Sequence, residues 1–112
     1  MPPNPSRLNA LQLKTLTLFQ EIARQPLFAS EDPDSGAQVI HMLPDAHGDH
    51  FHIGRRVVLG RDATGLENPA VRKALARKGL IEDGPGGRLA LTPAGQAYET
   101  GLRGKILHGS DH

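Results

Sequence analysis

Four of the six histidines, His41, His47, His50 and His52, fall in one short stretch of the chain. On an extended strand His50 and His52 point to the same face, because side chains alternate from one side to the other. A hairpin closing near Ala46 would set His41 opposite that pair. His41, His50 and His52, with Asp45, Asp49 or His47 from the loop, would then offer three or four ligands to zinc or another metal that favours imidazole. No established metal motif such as HExxH is present, so the plainer reading has no cofactor and leaves exposed histidines on a polar hairpin. A pH-sensitive face is a further alternative, since imidazole titrates near neutrality.

The second set of residues that could do chemistry is basic. The net charge is only +1, but it is unevenly spread. Between Arg55 and Lys78 there are seven bases (Arg55, Arg56, Arg61, Arg72, Lys73, Arg77, Lys78) against Asp62 and Glu67, a local net of +5. Between Glu21 and Asp49 six acids face the single base Arg24, a local net of −5. Such segregation presents a basic face, which is what binding to phosphate requires. Catalytic signatures are absent. There is no Cys, hence no disulfide framework, Cys-ligated zinc finger or thiol nucleophile. Neither a G-x-S-x-G elbow nor a phosphate loop with its Lys-Ser/Thr occurs. A non-enzymatic protein is expected. No apolar run approaches the ~18 residues of a membrane span. Met1-Pro2-Pro3-Asn4-Pro5 lacks the basic-then-apolar order of a secretory signal, so the expected location is the cytoplasm.

The elements that must position these residues can be read from caps and periodicity. At 112 residues one domain is expected. Leu, Val, Ile and Ala would fill its core around Phe19, Phe28, Phe51 and Tyr98. Asn9 followed by Gln12 reads as a capping box that opens a helix from about Ala10 to Arg24, with a stripe of Leu11, Leu18, Phe19, Ile22 and Ala23. Phe28 to Gly36 reads as an acidic loop. Ala37 to Leu43 and His50 to Ile53 read as the two strands of a hairpin. Arg55 to Ala63 is open between a strand, favoured by Val57-Val58 and Gly60, and a helix, favoured by its position. Asn68-Pro69 opens a second helix with Val71, Ala74 and Leu75 inward and Arg72, Lys73, Ala76 and Arg77 outward, stopped by Gly79. Leu80-Ile81 and Leu89-Ala90-Leu91 form two strands around Asp83-Gly84-Pro85-Gly86-Gly87, and Thr92-Pro93 opens a short last helix that Gly95 and Gly101 weaken.

Helix, two-stranded wing and helix, from Thr64 to Gly95, is an order that resembles the winged-helix DNA-binding domains. The run KALARKGLIEDGPGGRLALTPAGQA resembles the wing region of bacterial regulators of the MarR type. The resemblance implies an α+β fold: a winged helix with a β-hairpin insert, about residues 37–59, between the first helix and the recognition helix. The domain would cover 8–103, between a flexible arm (1–7) and a flexible tail (104–112). It implies double-stranded DNA as partner and a small bacterial transcriptional regulator as the role, with a homodimer as one form. Arg72, Lys73 and Arg77, with Lys78, would approach the major groove, Arg88 would be the wing contact, and Arg55, Arg56 and Arg61 would meet phosphates. The alternative is a protein-interaction module on the same frame, docking a partner along the insert hairpin.

Overall fold

The protein is described by a computed structural model covering residues 3–109. The parts of the arm and tail expected at residues 1–2 and 110–112 lie outside the described residues. Four helices, α1 (Ala10–Ala23), α2 (Pro69–Arg77), α3 (Pro93–Ala97) and α4 (Arg103–Ile106), combine with two antiparallel sheets into an α+β fold. The first sheet has the order β1 (Ala29–Glu31), β2 (Gln38–Ile40), β7 (Leu89–Leu91), β6 (Ile81–Asp83). The second runs β3 (Ala46–His47), β4 (His50–Ile53), β5 (Arg56–Leu59), β8 (His108–Gly109).

α1 begins as its sequence dictates. Asn9 Oδ1 accepts the Gln12 amide at 2.8 Å and Gln12 Oε1 accepts the Asn9 amide at 3.0 Å, so the capping box closes. Its buried surface is wider than a single stripe, for Thr15, Leu16, Thr17, Leu18 and Phe19 are all fully buried. Two threonines are tolerated there because Thr15 donates to the Leu11 carbonyl at 2.8 Å and Thr17 bonds the Leu13 carbonyl at 2.7 Å and the Thr100 hydroxyl at 2.6 Å. A hydroxyl satisfied within its own helix no longer carries the cost of burial. α1 is the central post of the molecule, packed against α2, α3, β1, β2 and β7.

The segment expected as one insert hairpin is two different structures. β2 does not pair with β4; it lies between β1 and β7, with Val39 opposite Ser30 and Ala90. Its hairpin partner comes from the stretch read as an acidic loop, through a turn at Asp32–Gly36 in which Gly36 takes φ +76°. β4 instead pairs with β3 across the two-residue turn Gly48-Asp49 and with β5 across Gly54-Arg55. The reason is local: both turns have a glycine at positive φ, +68° at Gly48 and +59° at Gly54, which permits tight hairpins that a longer loop near Pro44 would forgo. The open segment 55–63 is strand β5 followed by a 3-10 turn, Gly60–Asp62. Among the described residues no α-helix lies between α1 and α2.

Neither described terminus behaves as a loose end. Asn4 accepts from the Leu8 amide at 3.0 Å and donates to its carbonyl at 2.8 Å, and it bonds the Tyr98 hydroxyl, which also accepts from the Ser6 amide at 3.1 Å. At the other end Ile106 and Leu107 are each 4% exposed and β8 pairs with β5. Within the described parts of the expected flexible arm (1–7) and tail (104–112), a polar turn at Asn4–Leu8 and two buried apolar residues, Ile106 and Leu107, make these contacts.

Candidate nucleic-acid interface

α2 starts where Asn68 Oδ1 accepts the Ala70 amide at 3.0 Å, with Pro69 in the first helical position. It stops at Gly79, whose φ of +75° is a conformation side chains rarely adopt. Val71 and Leu75 are buried. α2 packs on α1 and β6. The turn before it is pressed onto α1, since a side chain at Gly65 would strike Thr15 and Leu66 is buried. The ion pair of Lys14 with Asp62, at 2.9 Å, fastens the 3-10 turn to the same helix. α1 thus gives α2 the support that a preceding helix would have given.

The outward face of α2 is narrower than its charge suggests. Ala70, Lys73 and Arg77 are exposed at successive helical turns, while Arg72 and Ala76 are half-buried. Arg72 turns back onto the β6–β7 hairpin, where its Nη2 meets Asp83 Oδ1 at 3.0 Å, and its Nε is buried with no partner among the described residues. Lys78 donates to the Ser6 carbonyl at 2.6 Å. Among the described residues the side chains of Lys73 and Arg77 make no hydrogen bond or ion pair, and both reach solvent. The Lys78 bond also brings Arg7, next in sequence to Ser6 and exposed, to the C-terminal end of α2. Nothing local in the sequence pointed to Arg7, because its position depends on the distant Tyr98.

The remaining basic residues are dispersed. Arg88 Nη2 lies 3.1 Å from Asp32 and 3.6 Å from Glu82. With Glu82 and Asp83 beside it, the β6–β7 hairpin is acidic around that guanidinium. Asp32 is held below the usual carboxylate range, first by the Asp34 amide at 3.0 Å and then by Arg88. A depressed carboxyl contributes stability above its ordinary value of 3.8 and loses it as pH falls through the lower folded value. Arg88→Ala should therefore move the Asp32 titration upward, toward 3.8, when followed by carboxyl-carbon NMR. Arg55 is exposed in the β4–β5 turn and Arg61 in the 3-10 turn, while Arg56 is half-buried opposite Ile53. These three are not gathered on α2.

The histidines are also redistributed. His41 follows β2, donates its amide to the Phe28 carbonyl, and places its ring 2.6 Å from the Ser30 hydroxyl. It belongs to the first sheet, so the expected trio of His41, His50 and His52 does not form. The physical cause is the pairing of β2 with β1 rather than β4. His47, His50 and His52 come together instead, on the second sheet.

No protein-family model, curated protein or solved structure matches the chain. Among the described residues no helix is long and apolar enough to cross a membrane.

Proposed function

We propose that the protein binds double-stranded DNA as a non-enzymatic winged helix, with α2 presented to the major groove and β6–β7 as the wing, in the role of a small transcriptional regulator. One observation carries this reading. Lys73 and Arg77 stand a turn apart on the outward stripe of α2, unpaired, with the small Ala70 ahead of them. A helix whose exposed ridge combines a small residue with free bases can approach a groove about 12 Å wide and place one guanidinium on a base edge. α2 packs on β6, and the Arg72–Asp83 ion pair at 3.0 Å ties the helix to the hairpin. The wing does not reach for phosphate. Arg88 and Arg72 are already neutralised by carboxylates, and Lys73, Arg77, Lys78 and Arg7 supply the charge.

The test is fluorescence anisotropy with a labelled random-sequence duplex at low salt. Binding should weaken steeply as salt rises, with a log–log slope of roughly −2 to −4 for two to four phosphates neutralised. Lys73→Ala with Arg77→Ala should abolish binding while leaving the melting transition unchanged, and Arg88→Ala should leave binding close to the parent. A double variant that binds duplex as well as the parent would remove α2 from the interface.

A second reading, a protein-docking module, is favoured by one feature. The β1–β2 ladder continues through the His41–Phe28 bond to an end where Leu27 is 72% and Met42 47% exposed. Large apolar side chains grouped at a sheet end suit a protein partner. Such binding would be far less sensitive to salt, which separates it from the first reading.

A further inference from the structure

The register of the second sheet collects histidines on one face. His47 is directly opposite His50 across β3–β4, and His52, Val57 and His108 form one row across β4, β5 and β8. Directly paired residues share a face, and the alternate residues Phe51, Ile53 and Val58 point to the core. Four of the six histidines therefore lie on the outer side of one small sheet. Three of them are in mutual contact: ring centroids are 5.0 Å apart for His50 and His52, 5.6 Å for His47 and His52, and 6.3 Å for His47 and His50.

These separations can be compared with those of a metal site. Zn–N bonds of about 2.0–2.1 Å put the ring centroids of two imidazoles in a tetrahedral site roughly 5 Å apart. The His50–His52 spacing of 5.0 Å matches that value and the other two, 5.6 and 6.3 Å, exceed it, while the planes are steeply inclined, 80° and 70° for the two closer pairs. As the side chains are placed, no group of three His, Cys, Asp or Glu among the described residues could hold a metal ion. The backbone of the hairpin is fixed by the Gly48-Asp49 turn, and His47 is exposed with His50 and His52 half-buried. Bringing three nitrogens onto one ion requires rotation of the rings about χ1 and χ2, away from the contacts His50 and His52 now make. Asp49 Oδ1 lies 3.5 Å from His50 Nδ1, the position of a carboxylate that orients a ligating imidazole from outside. His50 and His108 also line a groove of about 350 Å³ with Asp49, Val57 and Leu59, which leaves room for water or a fourth ligand.

We propose that His47, His50 and His52 form a binding site for a divalent ion of the zinc, nickel and copper class, completed by water. The donor set selects that class, because imidazole nitrogens without thiolate or multiple carboxylates suit zinc, copper and nickel over calcium or magnesium. The site lies on the second sheet and involves none of the residues proposed to contact DNA, so it stands or falls independently of that reading.

The experiment is a titration of the full chain with zinc chloride, followed by calorimetry and by long-range nitrogen-15 NMR of the imidazoles. One ion should bind per chain, with the ring nitrogens of His47, His50 and His52 shifting together. Loss of an outer partner of a ligating histidine typically costs 10–100-fold in affinity, so losing a ligand through His50→Ala or His52→Gln should cost more than about tenfold. His41→Ala should bind as the parent does. Unchanged melting of the metal-free variants would show that the fold survives. No heat at millimolar zinc, binding that persists in the His47→Ala/His50→Ala variant, or shifts confined to His41 or His108 would each overturn the proposal.

Discussion

Gly95→Ala is expected to destabilise the protein by about 3 kcal/mol, as overpacking against rigid neighbours does. Helix propensity alone forecasts the opposite, since alanine is better than glycine in a helix interior by roughly 0.5–1 kcal/mol. The difference lies in what surrounds the first turn of α3. A Cβ at position 95 would sit 2.0 Å from the Leu80 carbonyl oxygen and 2.7 Å from a Leu91 methyl. The carbonyl cannot swing away cheaply, because it accepts the Thr92 amide at 3.2 Å. Nor can α3 lift off, since Thr92 both caps it, accepting from the Gly95 amide at 3.0 Å, and donates to the Gly79 carbonyl at 2.7 Å. Gln20 of α1 adds bonds to the Gly95 and Tyr98 carbonyls at 2.9 and 2.8 Å. Thermal unfolding should show a midpoint lowered by roughly 10–20 °C. Gly104→Ala is the control, a helical glycine of α4 with nothing within 4 Å of the added carbon. It should be neutral or slightly stabilising. Equal behaviour of the two variants would mean that α3 does not pack against the Leu80 carbonyl and β7.

Gly95 also shows what kind of information the sequence holds in plain view. Read locally it is a helix-weakening residue, and only the position of Leu80 makes it a requirement. The features legible in advance are those decided within about four residues. Asn9 with Gln12, Asn68 with Pro69, and Thr92 with Pro93 each cap a helix by a side chain reaching the nearest free amides. Gly79 and the β6–β7 hairpin are of the same kind. What was not legible depends on partners far along the chain. The choice of β1 and β7 over β4 as neighbours of β2 separates His41 from His50 and His52. Arg72 and Arg88 look like free bases until Asp83 and Asp32 are brought beside them. Thr15 and Thr17 look like surface residues until α1 is buried on most of its circumference. Charge counts along the sequence therefore overstate the basic face, because several of those charges are neutralised within the fold.

Ending the chain at Leu102 is expected to leave it largely unfolded. The segment beyond resembles a tail in composition, with glycines, histidines and only two consecutive apolar residues. Those two, Ile106 and Leu107, are buried in the common core. Removing a buried Ile or Leu side chain costs about 2–5 kcal/mol, so loss of both approaches the 5–15 kcal/mol that stabilises a typical domain. Two further losses act in the same direction. β5 would lose its pairing with β8, and Glu21, buried in α1, would lose the Arg103 guanidinium that bonds its carboxylate. Arg24, 3.7 Å away and mostly exposed, is a poor replacement. Circular dichroism and amide NMR dispersion of the truncated chain should show collapse of the native signature. Arg103→Met separates the charge from the packing, because it keeps an apolar stem over Glu21 and removes the guanidinium. Its cost should be about 1–2 kcal/mol, less than for a fully buried pair because Arg103 is 42% exposed. Adding Glu21→Gln should recover part of that loss, since a neutral amide tolerates burial better than an unpaired carboxylate. A truncated chain that melts with the parent would detach α4 and β8 from the core. Arg103→Met without effect would mean that water, rather than Arg103, satisfies Glu21.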